Sequence, residues 1–301
     1  MAPVFGVDLG GTYLRAAAAD DGADPIAERA EAVDGLTARG FAERVRRLAE
    51  ELCPTGPAAI AVGLPGPVGD GGEIGHVVNA PALNGAPIRS LLMEQLDAPV
   101  IVENDVNLAA LGEQRRGRAR GVSDVAFIAV GTGVGMGIVV GGRILRGARG
   151  GAGELGLLPL GPDRVAGDPA QLGPLESVAG GAGLAARWSA HTGAPASGRD
   201  VFEAAEAADP AALALLQDQA GALAMGVRAV QAMLDPQLIV FGGGIGTRHD
   251  VFARLQAALA AHGTPPPAIE PSGLGERAGL VGALEAALDA AADVQLARGD
   301  R

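Results

Sequence analysis

The chain contains no lysine. All 23 of its basic residues are arginine, set against 35 Asp and Glu in 301 residues. That absence excludes a Walker-A phosphate loop, the strand lysine of a protein kinase and any Schiff-base or pyridoxal-phosphate lysine. Phosphate handling must therefore rest on backbone N–H groups, arginine or a metal. Coding bias towards Ala, Gly, Arg and Pro is a sufficient origin for the gap. Cysteine is nearly absent too: the lone Cys53 excludes an internal disulfide and a cysteine-based zinc cluster, and it suits a reducing compartment. No apolar run reaches about 18 residues, and no charged-then-apolar leader precedes the first strand. A soluble, cytoplasmic protein is expected. A net charge of -12 leaves no basic surface for nucleic acid or an anionic membrane.

What is present reads as globular α/β: 48% hydrophobic and 19% charged, with length for one large domain or two smaller ones. Val4 to Leu9 is a short apolar strand, Gly10-Gly11-Thr12 a turn, and Tyr13 to Ala19 the returning strand; Asp20-Asp21-Gly22 is the next turn. Leu36 to Leu52 carries apolar residues at helical spacing. Ala58 to Leu64 and Pro99 to Val102 read as buried strands, and Val106 to Arg116 as a helix. The figure then repeats: Val125 to Val130, a turn at Gly131-Thr132-Gly133-Val134-Gly135, and a return through Met136 to Val140. Two related lobes follow from the repeat, each offering one glycine turn. Helices are expected over Pro174 to Thr192, Val201 to Leu234 (interrupted at Asp209-Pro210), Asp250 to His262 and Gly279 to Ala292, with a frayed tail from Gln295. Leu238 to Phe241 is a strand ahead of Gly242 to Gly246.

Each chemical motif has two readings at this stage. The Asp8-to-Thr12 turn can cradle a phosphate, with Asp8 orienting a magnesium-bound water, or be an ordinary hairpin. The second glycine turn can hold phosphate or serve close packing. It is not a dinucleotide fingerprint, because a strand follows it. Asp105 closes Glu103-Asn104-Asp105 at the end of a buried strand, where it is either a general base or the N-cap of the next helix. Glu154 lies in a glycine-rich loop and Glu176 near a helix start; each alone reads equally as a solvated or helix-dipole residue. Arg115, Arg116, Arg118 and Arg120 read as a solvated helix end. His76, His191, His249 and His262 follow no metal-ligand spacing and read as surface residues.

In combination and in this order, Asp8-x-Gly-Gly-Thr12, Leu64-Pro65-Gly66-Pro67, Glu103-Asn104-Asp105, Gly131 to Gly135, Gly153-Glu154-Leu155-Gly156, Leu175-Glu176-Ser177 and Gly242-Gly243-Gly244 resemble the sugar kinases of the ROK family, within the actin-like ATPase superfamily. The resemblance implies two actin-like (ribonuclease H-like) α/β lobes around an ATP/sugar cleft. It sets an N-terminal lobe over 1–108, a C-terminal lobe over 109–279, and a last helix, about 280–301, packing back on the first. It implies ATP with Mg2+, Gly10, Gly11, Thr12, Thr132 and Gly133 at the phosphates, and Gly243 and Gly244 near the adenosine. Asn104, Asp105, Glu154 and Glu176 would take sugar hydroxyls, Asp105 as the base. Glucose is the commonest substrate in the family, with N-acetylglucosamine, N-acetylmannosamine, mannose and fructose as alternatives. A homodimer is expected. A sugar-responsive regulator or a silent sugar-binding protein are the competing classes; the regulators carry an N-terminal helix-turn-helix, whereas this chain reaches its first strand at Val4. Many members hold a structural zinc with a histidine one residue past Glu-x-Gly and a cysteine cluster. Here Leu157 takes the histidine's place and Gly161 to Gly173 has no cysteine, so no zinc is expected. The family tryptophan is also missing around Asn84-Gly85-Ala86.

Overall fold

The computed structural model describes residues 2–20, 25–33, 35–69, 71–75, 81–160, 172–261 and 263–299. The Asp21-Gly22 turn, His76, His262 and residues 161–171 of the cysteine-free segment lie outside the described residues.

Ten strands form two five-stranded sheets among the described residues. The first has the order β3-β2-β1-β4-β5. β1 (Val4–Leu9) and β2 (Tyr13–Ala19) form the expected antiparallel hairpin, with Asp8 opposite Arg15. β4 (Ile60–Leu64) runs parallel to β1 on one side and to β5 (Val100–Asn104) on the other. Residues of β1 and β4 are buried throughout, as befits strands covered on both faces. β3 (Pro25–Ala32) pairs antiparallel with β2 and was not foreseen. Its outward residues include Glu28, Arg29 and Glu31, so it lacks the apolar run that marks a strand in sequence.

One face of this sheet packs on α1 (Ala38–Leu52), whose Phe41, Val45, Leu48 and Leu52 are buried at helical spacing. Thr37 caps it, accepting from the Gly40 N–H at 3.1 Å. The short α2 (Ile88–Met93), also unforeseen, adds Ile88 and Leu92 to that core. The opposite face packs on α3 (Asp105–Arg115) and α10 (Ala278–Gly299) through Val4, Ala61, Leu108, Leu280 and Leu284. Helix α10 runs through the tail that read as frayed: Ala and Leu continue the helix-forming pattern through Gln295.

Helices α3 and α10 meet at glycine. A β-carbon on Gly282 would overlap the Leu108 carbonyl, and one on Gly112 would overlap that of Ala278. The arginines after α3 are not simply solvated. Arg116 pairs with the buried Glu285 of α10 and Arg115 with Asp289 at 3.2 Å, while the Arg118 N–H donates to the buried Glu113 at 2.6 Å. Arg115 and Arg116 clamp α3 to α10.

The second sheet has the order β10-β9-β6-β7-β8. Its strands are β6 (Val125–Val130), β7 (Val134–Val140), β8 (Arg143–Ile144), β9 (Leu238–Gly242) and β10 (Ile269–Pro271). The expected helix from Pro174 is broken in two, α4 (Glu176–Ala179) and α5 (Gly181–Thr192), at an extended Gly180. The break brings backbone to backbone: a β-carbon on Gly181 would lie 2.9 Å from the Gly131 carbonyl, and one on Gly180 would lie 3.0 Å from that of Thr132. Beyond it come α6 (Gly198–Glu206) and α7 (Pro210–Leu234), separated by Asp209, whose side chain accepts from the Ala211 and Ala212 N–H groups at 2.8 and 3.1 Å. The glycine run after β9 closes into a single helical turn, α8 (Gly243–Gly246), followed by α9 (His249–Ala260).

The chain divides into two compact units. The first holds residues 1–121, 137–152 and 277–301, the second 122–136 and 153–276. A boundary after 108 would cut α3, whose packing on α10 keeps it whole in the first unit.

Candidate functional site

In the first unit the acids and glycines of the motifs gather at the ends of β1, β4 and β5. Asp8 is buried to 8% exposure. Burial pushes its carboxyl up to about 6, against a smaller opposing pull from the Arg15 guanidinium. A β-carbon on Gly279 would lie 2.9 Å from both its oxygens, so only glycine leaves the carboxyl its space. At Gly63 the tight approach is to Leu108, whose Cδ1 would lie 2.9 Å from a β-carbon, while Asp8 Oδ1 and the Cα of Asp105 would both lie in ordinary contact at 3.5 Å. Asp8 and Asp105 thus flank one glycine. The exposed turn beyond Asp8 is closed by the Gly10 N–H on the Tyr13 carbonyl at 2.9 Å. No acceptor among the described residues takes the N–H of Gly11 or Thr12.

Asp105 opens α3, partly exposed, but it is not the cap. Asn104 is: its side chain accepts from the Asn107 N–H at 3.0 Å and its Nδ2 donates to the Gly66 carbonyl at 3.0 Å. The N-cap reading of Asp105 falls away, and its Oδ1 instead accepts from the Val106 N–H at 2.8 Å. Sequence reasoning gave Glu103 and Asn107 no role. Glu103 is a buried acid that accepts from Asn107 Nδ2 at 2.9 Å and from Arg146 Nε. The signal was there in four polar residues, Glu103, Asn104, Asp105 and Asn107, set between the apolar runs Val100 to Val102 and Leu108 to Leu111.

In the second unit the remaining motif residues surround the β6–β7 turn. Glu176, at the start of α4, accepts from the Val134 N–H at 3.2 Å, and a β-carbon on Gly133 would overlap its Oε1. Gly156 lies against the Glu176 Cβ, its own β-carbon position 3.2 Å away. Glu154 is exposed, yet desolvation and then the Glu176 charge hold its carboxyl above the ordinary value. Leu157, just past it, is 60% exposed. Thr132 is exposed, its carbonyl accepting from the Ala182 N–H at 2.9 Å. Gly243 adopts a φ of +78°, and a β-carbon on it would overlap the Val130 carbonyl just before that turn; Gly244 has nothing within 4 Å. Glycine is thus required where α8 meets β6, and the backbone there is open. His191 stacks on Trp188 at 5.2 Å, and His249 is exposed at the start of α9.

Two α/β units, each with a glycine-turned hairpin, define an actin-like fold, the fold of the solved structures to which the chain is similar. The ROK family profile matches residues 4–290, and the chain belongs to that family. It is similar to a ROK hexokinase from Thermus thermophilus, with 33% identity, a TM-score of 0.86 and coverage of 97% of this chain and 99% of that one. It is also similar to a ROK family glucokinase from Streptomyces griseus in complex with glucose and AMPPNP, with 28% identity, a TM-score of 0.76 and coverage of 95% and 99%. Among curated relatives, the bifunctional enzyme NanE/NanK of Brucella suis is 41% identical over 67% of this chain, a match spanning only 37% of that protein. An N-acetylmannosamine kinase of Citrobacter koseri is 32% identical over 84% of this chain and 87% of its own length.

Proposed function

We propose that this protein is an ATP-dependent sugar kinase that moves the γ-phosphate to a hexose hydroxyl, with glucose as first substrate. The observation that carries the reading is the end of β5: a partly exposed Asp105 whose neighbour Asn104 is locked at both ends of its amide. Asp105 accepts the proton of the sugar hydroxyl as its oxygen attacks the γ-phosphorus in line. Asn104, Glu154 and Glu176 supply hydrogen-bonding partners for the other hydroxyls. The unclaimed N–H groups at Gly11 and Thr12, together with Thr132 and Gly133, suit the phosphates, so no lysine is needed. Gly243 and Gly244 suit the adenosine, where their backbone leaves room.

Magnesium would come with the nucleotide; Asp8 would orient its water, and the ion would supply charge neutralisation at the phosphates. A buried carboxyl pushed up to about 6, even against the Arg15 charge, gains from a nearby cation. No structural zinc enters the reading. It extends to a cytoplasmic homodimer that feeds glycolysis.

A second reading, a kinase for an N-acetylated hexose, draws on the Citrobacter relative and on the exposed Leu157, which presents an apolar surface beside Glu154. ADP release with magnesium-ATP tests both, against glucose, mannose, fructose, N-acetylglucosamine and N-acetylmannosamine. Asp105→Ala should cut turnover about 10²- to 10⁴-fold with the fold intact. Wild-type activity on no sugar sinks the kinase reading, and activity on acetylated sugars alone selects the second.

A further inference from the structure

Glu103 is 2% exposed at the end of β5, adjoining the Asn104–Asp105 pair without belonging to it. One of its oxygens, Oε1, accepts from the Asn104 N–H at 2.9 Å and from Asn107 Nδ2 at 2.9 Å. The other, Oε2, takes Arg146 Nε. Asn104 then spends its side chain on the Asn107 N–H and the Gly66 carbonyl. Glu103 therefore grips the N–H of the residue just before Asp105 and the side chain of the residue two beyond it. A buried carboxylate in this position is stable only with its counter-charge.

Arg146 supplies that charge, and its side chain is 52% exposed. It follows β8 in a loop closed by the Ala152 N–H on the Arg146 carbonyl at 3.0 Å. Gly150 seats the loop at a φ of +72°, its β-carbon position overlapping the Val68 backbone. The loop is anchored, so the guanidinium is delivered to Glu103 from a fixed base.

We propose that Arg146 is a positioning residue: through Glu103 it fixes Asn104 and the first turn of α3, and so the aim of Asp105. The proposal rests on the sugar-kinase reading for its catalytic consequence, and on geometry alone for the positioning itself. Four variants test it: Arg146→Met, Arg146→Lys, Glu103→Gln and the double variant Arg146→Met/Glu103→Gln. Arg146→Met strands a buried charge. It should lower kcat and raise the sugar KM, for a loss of about 10- to 100-fold in kcat/KM, with the ATP KM within about twofold of wild type. Arg146→Lys should recover part of the loss. Glu103→Gln alone, which leaves the guanidinium facing an amide, should fall between Arg146→Met and wild type. The double variant removes both charges yet keeps an amide oxygen for Asn104 and Asn107, and should recover most of the loss.

Amide hydrogen exchange gives a second readout that needs no turnover. The Asn104 and Asn107 N–H groups should exchange faster in Arg146→Met and return to wild-type rates in the double variant. Unchanged exchange at those two amides overturns the proposal. So does a loss of activity that tracks only the folded fraction, with both KM values unmoved. A wild-type protein that phosphorylates no sugar sinks the function reading instead, and the exchange measurement still decides the positioning.

Discussion

Replacing Asp8 by asparagine is expected to make the ligand-free protein more stable at neutral pH while abolishing its chemistry. Burial raises the Asp8 carboxyl from 3.8 to about 6. Between those two values the folded chain still holds a proton that the unfolded chain has released. Stability therefore falls as pH rises from about 4 to about 6, and is flat beyond. At about 1.36 kcal/mol per pH unit the loss is about 3 kcal/mol at pH 7.5. Asparagine has nearly the same shape between Gly63 and Gly279 and no charge to bury. Asp8→Asn should thus gain up to about 3 kcal/mol over wild type at pH 7.5 and little at pH 4. Urea unfolding followed by circular dichroism at both pH values, with unchanged slopes, measures this directly. An equal effect at the two pH values, or a destabilised variant at pH 7.5, would refute the burial argument. Kinase turnover should fall in the same variant, a trade of activity for stability typical of buried site charges.

Three further substitutions probe each unit by itself. Gly282→Ala places a methyl on the Leu108 carbonyl, so α10 must move off α3; a cost of about 1–3 kcal/mol should lower the Tm by several degrees, and an unchanged melting curve would show that the helices slide freely. Gly133→Ala pushes a methyl into Glu176 Oε1, which frees the Val134 N–H; the sugar KM should rise about tenfold or more with the Tm little changed, and an unaltered KM would remove Glu176 from the sugar site. Glu176→Gln takes away the charge that helps raise the Glu154 carboxyl, so the acid limb of the kcat/KM profile should move to lower pH, and a limb that stays put would assign it to another group.

The parts legible in the sequence are those whose cause is local. β1, the turn at Gly10-Gly11-Thr12 and β2 follow from a few adjacent residues, as do β6 and the Gly131 turn. The same holds for Glu103-Asn104-Asp105 at the end of an apolar strand. The missing parts depend on partners far along the chain. Arg116 reads as a solvated helix end until Glu285 is brought beside it, and Glu103 has no visible role until Arg146 reaches it. Asp105 and Asn104 are equally good caps by type, and only the geometry shows that Asn104 takes the Asn107 N–H. The break at Gly180 is set by the approach of the Gly131–Thr132 backbone, which no helical periodicity records. β3 escaped because an edge strand with no fully buried residue carries little apolar signal.

Helix α10 gives the first unit an unusual order of assembly. β1 is made before both α10 and the second unit, yet Gly6 packs on Leu284 and Asp8 is walled in by Gly279, residues made only after the second unit is complete. Until then one face of the first sheet has no helix α10 to cover it, and the carboxyl of Asp8 remains hydrated and fully charged. The second unit, by contrast, has all its residues by Glu276. Synthesis therefore delivers the later lobe ready to fold before the earlier one can close. A chain stalled or clipped ahead of Ala278 would present an apolar sheet face to its neighbours, the kind of surface that chaperones hold and that aggregates seed upon.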